Sequence, residues 1–185
     1  LDADSHLTTA RDISIMSREL LKHQDIKKYT GIWMDSIRDG TFGLTNTNKL
    51  IRFYNGATGL KTGYTQASRY CISATAQKDG MELIAVIMAA DTVDARTNDA
   101  KALLNYGFAN YELFTPQTPN IDNVKIIKGK TEFITPIVNN NISTVVKKGS
   151  VKDAVTEIDL CKDVSAPVEE GQKLGEVTVK INGEI

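Results

Sequence analysis

GLKTGYTQASRYCISATAQKDGMELIAVIMAA, Gly59–Ala90, is the stretch that decides how this chain is read. Two runs rich in β-formers, Arg69 to Gln77 and Met81 to Ala89, flank Lys78-Asp79-Gly80. An Asp-Gly pair between such runs signals a tight hairpin, because both turn positions need a left-handed backbone. Leu83-Ile-Ala-Val-Ile-Met88 is apolar at every position, so this strand must be covered on both faces.

Working outward, helices are expected on both sides of the hairpin. Thr9-Ala-Arg-Asp12 has the form of a capping box, and Ile13, Met16, Leu20 and Leu21 fall on one helical face. A helix is expected from about Thr9 to His23, and a second from Ile26 to Ile37, ending near the turn Arg38-Asp39-Gly40. After the hairpin, Val93, Ala100, Leu103, Leu104, Phe108 and Tyr111 repeat at helical spacing, giving a helix from Thr92 to about Leu113.

The composition changes at Pro116. All four prolines lie from there on, and eleven of the twelve aromatics lie before it. With the turn-like Thr115-Pro-Gln-Thr-Pro-Asn120, this marks a domain boundary. Beyond it only strands are expected: Val124–Ile127 and Glu132–Val138 around Lys128-Gly129-Lys130, then 142–147, 154–160 and 175–181. The reading is α+β over residues 1–115, then a small antiparallel β domain over 116–185.

Several function classes are excluded. The net charge is −1, and neither part is basic: 13 basic and 13 acidic residues precede Pro116, 9 and 10 follow it. Nucleic acid is thus not expected as a partner. No apolar run reaches membrane-spanning length, and the first residues have no signal-peptide pattern, so any export signal is expected outside this chain. Cys71 and Cys161 match no metal spacing and read as small buried hydrophobes. His6 and His23 have no metal-binding context and read as surface residues. Gly129-Lys130-Thr131 lacks the upstream glycine of a phosphate loop and reads as a turn.

Chemistry concentrates in Lys61-Thr62-Gly63. On a strand, Lys61 and Gly63 share one face and Thr62 takes the other. At a sheet edge, the ammonium supplies charge and the hydroxyl a directed hydrogen bond, which together can receive a carboxylate. The glycine lets another backbone approach closely. A peptide could then lie along the strand with its terminal acid near Lys61. The bland reading of the bare triplet is a turn before a strand.

The surrounding pattern resembles a known family. Gly59-Leu-Lys-Thr-Gly-Tyr-Thr65, followed by strand, Asp-Gly hairpin, apolar strand and helix, is similar to the penicillin-binding branch of the serine β-lactamase-like superfamily. Within that branch the chain looks like the low-molecular-mass D-alanyl-D-alanine carboxypeptidases. Leu1-Asp2, Thr9–Leu21, Asn46-Thr47-Asn48-Lys49-Leu50 and Leu83–Ala90 carry the resemblance, and Pro116 onward resembles the β domain of that group. The fold implied is α+β: a partial β-lactamase/transpeptidase-like domain, then a small all-β domain.

The family's Ser-x-x-Lys and Ser-x-Asn elements do not occur here. The resemblance implies that they precede Leu1, that Leu1 is not the biological start, and that this chain alone is inactive. It also implies the roles of residues that are present. Lys61 would place positive charge beside the nucleophile. Thr62 and Thr65 would hold the terminal carboxylate of a peptidoglycan D-Ala-D-Ala stem peptide. The Tyr64 N–H would be one oxyanion donor, and Gly63 would keep the strand open. Tyr64 stands where some relatives carry histidine. Arg96 matches a family arginine near the substrate carboxylate; its alternative is a surface helix residue. The reaction implied is acyl transfer through a serine, with β-lactams acylating the same serine and no metal or organic cofactor. The site would face the outside of the cytoplasmic membrane, with a possible membrane anchor beyond Ile185.

Three other readings stand beside this one. They are a non-catalytic cell-wall or protein-binding module, a β-lactamase, and a carrier domain around Ala166–Gly175. The β domain argues against a β-lactamase, and Lys152-Asp-Ala lacks the order of a lipoyl-type site. The family resemblance further implies that the strand over 81–89 pairs with an N-terminal strand that this chain lacks. That edge is therefore expected to be covered by a missing segment, a neighbouring chain or a swapped element. An unpaired, solvated edge would tell against the resemblance.

Overall fold

The computed structural model describes residues 2–3, 5–138, 143–181 and 183, with the side chains of 152 and 153 left aside. Two compact units divide the chain, Leu1–Asn110 and Tyr111–Ile185.

In the first unit, helix α1 (Ala10–Leu21) starts where the capping box places it. Thr9 Oγ1 accepts from the Asp12 N–H and Asp12 Oδ2 accepts from the Thr9 N–H, both at 3.1 Å. These two bonds satisfy backbone donors that a helix start leaves open. The second expected helix is much shorter. Helix α2 (Ile26–Thr30) stops at Gly31, and the residues read as its continuation form strand β1 (Met34–Ile37). β1 pairs with β2 (Phe42–Thr45) through a turn in which Arg38, Asp39 and Gly40 all have positive φ. Glycine is a poor helix former, and strand pairing across the turn then takes over. A four-residue strand is too short to show its own periodicity.

A one-turn helix, α3 (Leu50–Phe53), leads into the main sheet of β3 (Ala57–Thr65), β4 (Arg69–Lys78) and β5 (Met81–Ala90). The three strands are antiparallel in the order β3-β4-β5. The Asp79-Gly80 turn has φ of 50° and 79°, the left-handed pair that the hairpin signal demands. Helix α4 (Val93–Asn110) covers one face: Ile72, Ala74, Ala76 and Ala85 of the sheet pack with Ala100, Leu104 and Leu50. Alanines on the sheet let the helix come close, and Gly107 lies so near Leu83 that an added Cβ would stand 2.4 Å from its Cδ1.

α1 lies on the opposite face, joined to it by a buried contact of 2.7 Å between the Ser17 and Ser73 hydroxyls. The faces of β5 are thus packed by α1 and α4. Among the described residues no strand pairs with its outer edge. The packing of a strand's faces and the pairing of its backbone edge are separate requirements, and only the first is met within this unit.

In the second unit, the helix expected to reach Leu113 has already ended at Asn110. Tyr111–Phe114 forms strand β6, paired with β9 (Thr144–Lys147). β7 (Val124–Ile127) pairs with β8 (Phe133–Ile134) across the expected Lys128-Gly129-Lys130 turn. β8 is shorter than the expected 132–138, which contains Pro136, a residue with no N–H for a ladder. A 3-10 turn, Ser150–Asp153, precedes β10 (Ala154–Leu160), which pairs with β12 (Gly175–Ile181). β11 (Asp163–Ser165), not expected from the sequence, runs parallel to β7, so the unit is not wholly antiparallel. Position 142, expected in a strand, falls outside the described residues. Cys161 is exposed and Cys71 half-buried, and both are free, so Cys161 is not the buried hydrophobe expected. Both histidines are exposed.

Candidate functional site

β3 is an edge strand, so the Lys61-Thr62-Gly63 triplet lies on a free margin of the sheet rather than in a turn. Its alternation follows from the antiparallel register. Lys61 is opposite Ser73 and Gly63 opposite Cys71, on one face; Thr62 is opposite Ile72 and Tyr64 opposite Tyr70, on the other. The Lys61 face looks toward α1 across an open concavity of about 840 Å³. Lys61, Gly63, Thr65 and Ser73 form part of its polar wall, and Met16 and Leu20 of α1 part of its apolar wall. The apolar side of α1 is thus only partly used in packing, and Met16 remains 56% exposed.

Lys61 is exposed, and its ammonium donates to the carbonyl of Thr62. Among the described residues no carboxylate forms an ion pair with it. A cation held only by a neutral carbonyl at a sheet margin is available to an incoming anion. A Cβ added at Gly63 would meet nothing within 4 Å, so the space beside the strand is open. Thr65 closes β3: its hydroxyl lies 2.6 Å from that of Ser68 and accepts from the Ser68 N–H at 3.0 Å. A ligand at Thr65 would therefore share this hydroxyl with the turn.

Tyr64 sends its ring to the other face, where it packs on Tyr70 with centroids 4.5 Å apart. Only its backbone is left at the strand margin. Arg96, on α4, does not line the concavity. It is 4% exposed and not a surface residue. Its guanidinium lies 5.9 Å from the Tyr70 ring and donates to the Cys71 carbonyl at 3.3 Å. Its Nε has no partner among the described residues. Burial lowers its pKa from the ordinary arginine value, opposed by Cys71 and Tyr70.

The Asn46-Thr47-Asn48 loop also belongs to this margin. Asn48 is 2% exposed; it donates to the Gly59 carbonyl at 2.8 Å and accepts from the Leu50 N–H at 3.1 Å. Asn46 donates to the Ile32 carbonyl at 2.9 Å. Between these anchors, Thr47 Oγ1 lies 2.6 Å from Thr62 Oγ1. In sequence nothing marks Thr47; only the register of loop against strand reveals the contact.

Residues 1–92 match the family model described as D-alanyl-D-alanine carboxypeptidase, and residues 111–185 match the one described as penicillin-binding protein 5, C-terminal domain. D-alanyl-D-alanine carboxypeptidase DacF of Bacillus subtilis is 39% identical over 100% of this chain and 49% of its own length. DacC of Escherichia coli is 28% identical over 99% of this chain and 46% of its own length. The chain spans about half the length of the curated relatives it matches. Among solved structures, penicillin-binding protein 5 of Haemophilus influenzae superposes over 100% of this chain and 55% of its own, with a TM-score of 0.77 and 25% identity. Penicillin-binding protein D2 of Listeria monocytogenes, in its cefotaxime-bound form, covers 58% of this chain and 44% of its own, with a TM-score of 0.54 and 31% identity.

Proposed function

The chain belongs to the low-molecular-mass penicillin-binding proteins of the D-alanyl-D-alanine carboxypeptidase family, and we propose that it forms one wall of such an enzyme's active site. The protein would remove the terminal D-alanine of peptidoglycan stem peptides outside the cytoplasm. The observation that carries this reading is an exposed edge strand bearing a carboxylate-free ammonium, a hydroxyl and an open glycine beside a concavity.

In this reading the stem peptide lies along β3 as an added strand. Its terminal carboxylate meets Lys61 and the hydroxyls of Thr62 and Thr65, while Gly63 leaves room for its backbone. A serine from a part of the protein outside these 185 residues attacks the penultimate D-Ala carbonyl. The new oxyanion is held by the Tyr64 N–H and by the serine's own N–H. The carbon–nitrogen bond breaks, the departing D-alanine takes up a proton, and water hydrolyses the acyl-ester. Lys61 assists by lowering the energy of negative charge at the nucleophile. β-Lactams acylate the same serine and leave slowly. Arg96 has a more indirect part in this scheme, holding the Cys71 carbonyl from the face opposite Lys61.

The test is to incubate the full-length protein with a fluorescent penicillin and find the labelled residue by mass spectrometry. One serine should carry the label. Lys61→Ala should slow labelling by about 100-fold or more, the scale of losing a charge-stabilising group. Its thermal unfolding should match the parent's, since Lys61 is exposed. A protein that takes no covalent label, or labels equally fast without Lys61, would refute the proposal.

A further inference from the structure

We propose that Thr47 is a positioning residue: it sets the direction of the Thr62 hydroxyl and so makes that hydroxyl a donor to the substrate's carboxylate. This rests on the proposed function, in which Thr62 meets the terminal acid group. A threonine hydroxyl carries one proton and two lone pairs. At 2.6 Å, one of the Thr47 and Thr62 hydroxyls donates to the other. If Thr62 donates to Thr47, it turns only lone pairs toward a carboxylate and repels it. If Thr47 donates to Thr62, the Thr62 proton is free for the carboxylate. A bound anion selects the second arrangement, and each bond of the resulting chain strengthens the next.

For this to work, Thr47 must be held in place before the ligand arrives. The loop around it is anchored on both sides. The Asn46 N–H donates to the Trp33 carbonyl at 2.8 Å, and the Asn46 side chain to the Ile32 carbonyl at 2.9 Å. The Asn48 N–H donates to Asn46 Oδ1 at 2.9 Å, and the Asn48 side chain reaches the Gly59 carbonyl of β3 at 2.8 Å. Asn48 ties the loop to the strand that carries Thr62, and Asn46 ties it to the segment before β1. Thr47 itself is exposed, so its hydroxyl is not required to fill the core.

The experiment measures acylation of the full-length protein by benzylpenicillin and by its methyl ester, which lacks the anionic carboxylate. Thr47→Val should slow the reaction with the acid by about 3- to 10-fold, the scale of one net hydrogen bond. The rate with the ester should change by less than about twofold, being outside the hydrogen-bonded chain. Thr47→Ser keeps the hydroxyl and should restore the rate with the acid. In a Thr62→Val background, adding Thr47→Val should cost nothing further, because the two groups act as a unit. Equal slowing with acid and ester, failure of the serine variant to restore the rate, or a Thr47 effect that persists without the Thr62 hydroxyl would each overturn the proposal. A wild-type protein that neither compound acylates removes the proposed function, and this inference with it.

Discussion

The residues at the margin of β3 differ sharply in how they are held, and that difference predicts how each responds to substitution. Lys61 is exposed and serves the ligand, so its removal is expected to be silent in stability. Asn48 is the opposite case. It is almost wholly buried and satisfies the Gly59 carbonyl and the Leu50 N–H with one side chain. Asn48→Ala orphans both groups and is expected to cost about 2–3 kcal/mol, read from the midpoint of denaturant unfolding. A cost below about 0.5 kcal/mol would mean that water replaces the side chain and that the loop is not pinned as described. Arg96 shows that a position can match a family pattern while its side chain lies away from the concavity. Its guanidinium is spent on the Cys71 carbonyl and the Tyr70 ring.

At the scale of elements, the start of α4 is tied to the loop before α3. Lys49 Nζ donates to Asp94 Oδ1 at 2.9 Å. The neighbouring ammonium holds the Asp94 carboxyl below the ordinary aspartate value of 3.8. A carboxyl whose folded pKa is depressed adds stability above its ordinary value and loses it as pH falls through the folded one. The pair is exposed, so the effect is small and weakens with salt. Asp94→Asn is expected to lower the thermal midpoint at pH 7 in low salt, with the difference from the parent closing in strong acid. Thermal unfolding at the two pH values decides it; an unchanged gap would assign the effect to something other than this charge. Elements also explain two departures from the sequence reading. The 34–37 and 111–114 segments follow helical patterns, yet both are strands, because β2 and β9 offer them backbone partners. Pairing with another strand overrides local helical preference when the segment is short.

At the scale of the whole chain, two compact units divide the sequence, and the main apolar cluster lies in the first. In Leu1–Asn110 the centre is Leu104 and Leu50 with Ile72 and the sheet alanines. Leu104→Ala is expected to cost that unit about 2–5 kcal/mol by leaving a cavity. Hydrogen exchange should report the loss in β3, β4 and β5 while the amides of β10 and β12 keep their protection. Uniform loss in both units would show that they unfold as one. Much of this organisation was legible in residues alone. The capping box placed α1, Asp79-Gly80 placed the hairpin, and the apolar run of β5 required cover on both faces, because each signal is local and has one low-energy answer. Lys61-Thr62-Gly63 drew attention through residue type, alternation and the family resemblance, and the triplet lies on an edge strand beside a concavity. Only the tertiary structure could put β3 at a sheet edge, bury Arg96, split the second helix into a helix and a strand, and bring Thr47 to Thr62. Those outcomes depend on which distant segments meet, and the energy of a contact between residues 15 positions apart is written in neither segment by itself.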